Sequence, residues 1–354
     1  MVYNSKRSQT IPTTTQAPDK AFPTSRLRAP ISIGSRQIDS RLLLAPMAGL
    51  THVALRQAIR SFHPPGLLWT EMCSARALPK ENPDRSNVFC WDPQEASRLV
   101  CQIMGSDPQE MARAAIRVER EGFFGVDLNM GCSVAAICKR GAGAALLRLP
   151  ERAAAIVKAV RESVSCPVLV KLRSGWSREG IDAPELAKRL QDAGADGIVF
   201  HPRLAPDRRT RPPRWQDIAR VKQAVSIPVF GNGNVFTLKD AEQMLETTGC
   251  DGLALGRIAA ARPFVFGHWL GRLEPSSELF AWSARLMASG LWSRFEPNRA
   301  YKLYRKWVHY FAANFVFGHD LCSKLCSGRT ESDMLRNIET HLCPCPETQQ
   351  RPNS

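Results

Sequence analysis

The chain has 354 residues, with 48 Lys and Arg against 33 Asp and Glu, a formal net charge of +15 at pH 7 and a 44% share of hydrophobic residues. Such a length can bury a sizeable core, and no apolar run approaches the roughly 18 residues of a membrane-spanning helix, so a membrane protein is not expected. The basic excess favours a polyanionic partner, and eleven cysteines without a secretory leader point to reduced thiols in a cytoplasm.

Residues 1–29 are rich in Thr, Pro, Ser and Gln, lack an apolar core and are expected to form a disordered tail. No apolar segment follows Lys6 and Arg7, which argues against a secretory signal. From Leu42 onward short apolar runs, each ending in polar or glycine residues, recur every few tens of residues. They predict strands at 42–47, 66–72, 98–105, 125–131, 168–173, 197–202, 229–233 and 252–257. Segments 107–121, 150–165, 183–193 and 238–247 repeat apolar residues at three and four positions, as amphipathic helices do. Alternation of this kind predicts an α/β fold, a (β/α)8 TIM barrel over residues 30–275, with a doubly wound open sheet as the alternative. Beyond it the period turns helical, through Leu279, Trp282 and Leu286 and then Tyr304, Trp307, Val308 and Phe311. A small helical bundle is expected over 276–342, with a tail at 343–354.

In a barrel the carboxyl ends of the strands face one mouth, where polar side chains are costly unless something hydrogen-bonds them. In chain order those ends carry Pro46, Met47 and Ala48; Glu71; Gln102; Asn129 and Cys132; Lys171 and Arg173; His201 and Arg203; Asn232, Gly233 and Asn234; Gly256 and Arg257. Together they point to a ligand. The glycines of the last two ends let backbone N–H groups approach a bound group, and loops after the seventh and eighth strands commonly hold phosphate. A plain tight turn is the alternative for either loop alone. Gln102 and Lys171 would face the other end, where an amide suits a ring edge and a lysine suits the negative charge of a reduced flavin. Cys132 emerges where a strand gives way to a loop after Gly131; a small buried hydrophobe is the alternative reading.

With these residues in view, the chain resembles the tRNA-dihydrouridine synthase family, and most of all its bacterial B-type branch. The resemblance runs from about Leu44 to Phe266 through APMAG (45–49), TEM (70–72), QIMG (102–105), DLNMGC (127–132), GAGAALL (141–147), VKLRSGW (170–176), FHPR (200–203), NGN (232–234) and GR (256–257). It implies reduction of specific uridines in tRNA to 5,6-dihydrouridine, with flavin mononucleotide (FMN) as cofactor and NADPH or NADH as reductant. It assigns Pro46, Met47, Ala48, Gln102, Lys171, His201, Asn232, Gly233, Asn234, Gly256 and Arg257 to the flavin. Asn129 and Arg173 would orient the uracil, and Cys132 would protonate C5. Hydride arriving at C6 leaves negative charge over C5 and O4, so the reaction needs an acid at one and positive charge or donors near the other. Ser133 stands where the family usually has proline, and Asn234 where it frequently has aspartate. The resemblance further implies a C-terminal helical domain that grips tRNA, and a cytoplasmic monomer with no metal, membrane or obligate protein partner is expected.

Two basic clusters agree with an RNA substrate. Arg203, Arg208, Arg209, Arg211, Arg214 and Arg220 surround Trp215, a candidate stacking surface; Arg299, Lys302, Arg305 and Lys306 lie with Tyr301, Tyr304 and Trp307. For either cluster alone a solvated face is the alternative. Cys322, Cys326, Cys343 and Cys345 lack the paired CxxC spacing of a zinc ribbon, so no metal site is expected. Two rival functions remain at this level: a flavin barrel acting on a small molecule, which would not need the basic loop and the bundle, and a non-catalytic RNA-binding protein, which would purify without flavin.

Overall fold

The structure is a computed structural model that describes residues 24–177, 179–180, 182–207 and 210–352. Eight parallel strands form its centre: β1 (Leu42–Leu44), β2 (Leu68–Trp69), β3 (Leu99–Met104), β4 (Gly125–Asn129), β5 (Val168–Arg173), β6 (Gly197–His201), β7 (Val229–Gly231) and β8 (Gly252–Leu255). Pairing runs from β1 through β8, β7, β6, β5, β4 and β3 to β2. A parallel bridge between Leu43 and Leu67, with Leu44 N donating to Leu67 O at 3.0 Å, returns β2 to β1. The ring is therefore a (β/α)8 barrel, and the open sheet is excluded. Several strands stop short of their expected ends, so Pro46, Met47, Ala48 and Cys132 sit in loops just above them.

The outer ring contains α1 (Val53–Phe62), α2 (Pro108–Arg120), α3 (Pro150–Ser163), α4 (Ala183–Asp192), α5 (Trp215–Ala224) and α6 (Leu238–Thr248), of which α1 and α5 were not among the expected segments. Their starts are locally encoded. Asp107 accepts from Glu110 N at 2.8 Å with Pro108 in the first turn, and Thr237 and Asp240 cap α6 reciprocally. The crossover from β2 to β3 is different: it uses two short 3-10 turns, Leu78–Lys80 and Pro93–Arg98, in place of a helix.

Strand parity decides what faces the barrel axis, because successive side chains alternate sides. One set, including Leu42, Leu44, Leu99, Cys101, Val168, Val170, Ile198 and Leu253, packs outward against the helices. The other set, Leu43, Trp69, Val100, Leu169, Val199, Phe230 and Ala254, fills the interior. A short hairpin, Ile31–Ile33 with Arg36–Ile38, adds Ile33 and Ile38 to that interior cluster. Two residues further along the inward rows come Gln102, Lys171, His201, Asn232 and Gly256, so one rule makes the lower layer apolar and the upper layer polar.

Beyond the barrel follow α7 (Arg257–Ala261), α8 (Val265–Trp269), α9 (Glu278–Arg294), α10 (Pro297–Ala312), α11 (Gly318–Leu325) and α12 (Glu331–Leu342). Helix α9 packs on α1 and α12, and α10 packs on α7. At the α9–α1 contact a Cβ on Gly290 would lie 3.2 Å from Ala54 Cβ, so glycine permits the close approach. Arg294 Nε reaches Cys90 Sγ at 2.8 Å and Arg299 Nη2 reaches Asn87 O at 3.0 Å, so these helices also bind the crossover that lacks one of its own. Leu291, Trp307 and Phe311 belong to the same buried cluster as Leu55 and Ile59.

The described residues of both expected tails make regular contacts. Thr24–Arg28 forms one helical turn that buries Leu27, with Arg26 Nη2 donating to Cys250 O at 3.1 Å; residues 1–23 lie outside the described residues. In the expected C-terminal tail, Gln349 N donates to Asn314 O at 2.8 Å and Val316 N to Glu347 O at 3.1 Å. Among the described residues, no helix is long and apolar enough to cross a membrane.

Candidate active site

A cavity of about 460 Å³ opens at the carboxyl ends of the strands, within the range typical of small-molecule and cofactor sites. All fourteen residues to which the resemblance gives a role line it: Pro46, Met47, Ala48, Gln102, Asn129, Cys132, Lys171, Arg173, His201, Asn232, Gly233, Asn234, Gly256 and Arg257; Glu71, the one other strand-end candidate besides Arg203, does not. Lys306 and Tyr310 of α10 line it too, as do Met72, Arg203 and Phe236. In the sequence Lys306 reads only as one of a basic cluster beside aromatic residues, and Tyr310 carries no signal of its own. Nothing local in the sequence places α10 over the mouth.

The floor is a connected polar layer. Asp127 is fully buried and accepts from Gln102 Nε2 at 2.7 Å and from Trp69 Nε1 at 2.9 Å. Gln102 Oε1 in turn accepts from Asn129 Nδ2 at 2.8 Å, and Asn129 Oδ1 accepts from Cys132 N at 2.9 Å and Gly131 N at 3.2 Å. The chain of bonds therefore runs from the barrel interior to the backbone of the Cys132 loop. Asn129 has both ends of its amide engaged, also reaching Met72 Sδ at 3.3 Å. In this arrangement it orients the loop and Gln102; a uracil contact would have to share its donors. The TEM segment serves the same layer, since Thr70 Oγ1 accepts from Gln102 N at 3.0 Å.

Lys171 lies beside this layer and donates to Asn232 Oδ1 at 3.2 Å, while Asn232 Nδ2 donates to Ala254 O at 2.6 Å. Burial pushes the Lys171 ammonium down to about 7, against the opposing pull of the Asp127 carboxylate. Burial in turn raises the Asp127 carboxyl, opposed by its bonds to Gln102 and Trp69 and by Lys171.

The far wall is strongly cationic. Arg203 Nη2 and Arg257 Nη2 both donate to Asn234 Oδ1, at 3.1 and 2.7 Å, and Arg257 lies 4.7 Å from the centre of the Phe236 ring. Asn234 (φ 56) and Gly233 (φ 123) both take the left-handed side of backbone space; at Gly233 a Cβ would also come 3.4 Å from His201 Nε2. His201 is held well below the ordinary imidazole value by burial and then by Lys171, Arg173, Arg203 and Arg257, so it is neutral at pH 7. Its Nδ1 is buried without a partner among the described residues. Arg173 turns its Nε to Gly131 O at 2.7 Å and its Nη1 to Leu204 O at 2.9 Å, which buttresses the cysteine loop.

Three aromatic residues that lie among the basic clusters do other work. Trp215 donates Nε1 to Gly233 O at 3.0 Å and props the left-handed turn, while Tyr304 and Trp307 are fully buried because they belong to the apolar stripe of α10. Arg208 and Arg209 lie outside the described residues. Cys138 Sγ sits 3.5 Å from Cys132 O, and no group of three or more His, Cys, Asp or Glu that could hold a metal occurs among the described residues.

Comparison with known proteins follows the same lines. The family model for dihydrouridine synthase (Dus) matches residues 43–313. The chain is 41% identical over 245 residues to "Probable tRNA-dihydrouridine synthase 1" of Synechocystis sp., covering 68% of this chain and 67% of that protein. It is 37% identical over 236 residues to tRNA-dihydrouridine synthase B of Pseudomonas aeruginosa, with 67% and 70% covered. With the B enzyme of Escherichia coli K12 the identity is 35% over 288 residues, covering 79% and 88%. Among solved structures, a complex of 2-naphthoyl-CoA reductase superposes with a TM-score of 0.54 at 16% identity, covering 70% of this chain and 53% of that one. Morphinone reductase gives 0.50 at 16%, covering 72% and 92%. At such identities the two structures bear on the barrel alone, whereas the family match spans barrel and helices together: the chain belongs to the dihydrouridine synthase family, a family of oxidoreductases.

Proposed function

We propose that this protein reduces uridine in tRNA to 5,6-dihydrouridine in the cytoplasm, with FMN as its cofactor and NADPH or NADH as the reductant. The observation that carries the reading is the single cavity in which a thiol, a buried lysine and a wall of arginines converge. The residues present fit FMN. The buried, unpartnered His201 Nδ1 and the left-handed Gly233–Asn234 turn with its two arginines suit a phosphate and its linker, and the Gln102 amide and Lys171 suit the polar edge of a ring carrying negative charge. Pro46, Met47, Ala48, Gln102 and Lys171 would hold the ring; His201, Asn232, Gly233, Asn234, Gly256 and Arg257 would hold the ribityl phosphate.

Reduced flavin, when bound, supplies the hydride that C6 of uracil accepts. Cys132 then delivers its Sγ proton to C5, from a loop whose position Asn129 and Arg173 fix through backbone atoms. The guanidinium of Arg173 offers positive charge toward the uracil carbonyls, where negative charge builds. Lys171 holds a proton beside the flavin edge.

That proton gives a signed pH dependence. With no ligand bound, and despite the nearby Asp127 carboxylate, Lys171 loses its proton near 7, well below the ordinary lysine value of about 10.4, because burial disfavours the charged form. An anionic ligand restores it. Binding of reduced FMN, whose ring carries the negative charge, is therefore expected at pH 8 to take up a proton and to weaken as pH rises above 7, by up to about tenfold per unit. Calorimetric titration in two buffers of different ionisation heat reads the uptake, and identical heats at pH 8 would remove this role for Lys171.

A uridine held in folded tRNA must be turned out of its stack at a cost of a few kcal/mol, which contacts elsewhere on the RNA must offset. Folded tRNA is accordingly expected to be reduced far faster than free uridine at equal concentration. Comparable rates on the two, measured as dihydrouridine formed, overturn the proposed substrate class.

A further inference from the structure

The turn that carries Met47 and Ala48 is clamped from two sides. From the barrel, the carboxylate of Glu71 accepts from Gly49 N through Oε1; its Oε2 is buried and has no partner among the described residues. From the helical part, Lys306 of α10 donates Nζ to Ala48 O at 2.6 Å. Gly49 itself adopts φ 67, and a Cβ there would lie within 2.4 Å of Lys306 Nζ, so the glycine both makes the turn and leaves a passage for the ammonium. Glu71 and Lys306 also attract each other across the turn, with Arg56 and Arg299 adding positive charge around the carboxylate. Lys306 stands where two cavities meet: it lines the active-site cavity and also a basic groove of about 590 Å³ between α10 and α11 that contains Lys302, Arg305 and Arg329.

We propose that Lys306, with Glu71 opposite, is a positioning residue for the cofactor: it holds the Met47–Gly49 turn in the shape that receives the flavin ring. This rests on the flavin reading given above. The helical part then has a second task besides meeting RNA, since one of its side chains completes the cofactor's seat. A lysine that only gripped RNA would donate to a phosphate and have no reason to be tied to the carbonyl of a strand-end turn.

The test uses the full-length chain as wild type, Lys306→Met and Lys306→Arg, each stripped of flavin and titrated with FMN by fluorescence. Lys306 is exposed at the surface of α10, so its replacement leaves the core intact. Loss of one charged hydrogen bond is expected to weaken FMN binding about threefold to tenfold in Lys306→Met. In the flavin-free protein the amides of Gly49 and Leu50 are expected to exchange hydrogen faster in this variant, and Lys306→Arg is expected to recover most of both effects. Equal FMN affinity and equal exchange in Lys306→Met, with the loss confined to KM for tRNA, overturns the proposal. A wild-type protein that takes up no FMN overturns instead the flavin reading, and the exchange measurement on the flavin-free chain still decides whether Lys306 holds the turn.

Discussion

Cys132→Ala is expected to leave a yellow protein that NADPH still reduces, while dihydrouridine formation on tRNA falls by about 10²- to 10⁴-fold, the usual contribution of a positioned general acid. The loop survives the change because its bonds are made by the main chain. Asn129 Oδ1 accepts from Cys132 N, Ala144 N donates to Cys132 O at 2.8 Å, and Gly143 (φ 61) packs so closely that a Cβ would lie 2.6 Å from Cys132 O. Removing Sγ therefore removes a proton donor and little else. Flavin reduction and product formation are to be measured on one preparation, because their separation is what the role demands. A mutant that makes dihydrouridine at the wild-type rate excludes Cys132 as the acid.

The second large effect concerns stability. Arg56 of α1 is fully buried, and each of its three guanidinium nitrogens is bonded: Nε and Nη2 bind the Glu95 carboxylate at 3.0 and 2.6 Å, Nη2 also reaches Cys90 O at 2.8 Å, and Nη1 reaches Thr51 O at 2.6 Å. Arg56→Met strands a buried carboxylate and two carbonyls. Breaking such a pair from one side typically costs about 3–5 kcal/mol, whereas replacing both partners costs far less. Urea unfolding should show that loss for Arg56→Met and partial recovery when Glu95→Leu is added. A single-mutant loss under about 1 kcal/mol would mean that water reaches the pair.

The same residue shows where reading a sequence stops. The barrel was legible because short apolar runs giving way to polar or glycine residues recur eight times, and because parity carries Gln102, Lys171 and His201 inward from Val100, Leu169 and Val199. The cavity lining followed from that regularity. Arg56 did not, since a basic residue in an amphipathic helix reads as solvent-facing until its partner, 39 positions away, is known. Asp127 belonged to a motif, yet its task beneath Gln102 appears only once β3 and β4 are paired in register. In α10 two signals competed: Tyr304 and Trp307 lie both on an apolar stripe and among basic residues, and burial of the stripe won. Trp215 was read as an RNA platform because arginines flank it; its indole instead meets a carbonyl that no local pattern reveals. Lys306 and Tyr310 required knowledge of how a C-terminal helix folds back over the mouth.

The missing helix between β2 and β3 has a consequence for specificity. In its absence, α9 and α10 supply the cover, tied down through Arg294 and Arg299 to the bare crossover. The helical part, proposed above to meet RNA, is thus also part of the wall of the active-site cavity. Replacing this part wholesale would also strip contacts from the barrel. If the helices meet RNA as proposed, a change of target nucleotide is expected to come from outward-facing side chains on helices whose inward faces stay fixed by the barrel.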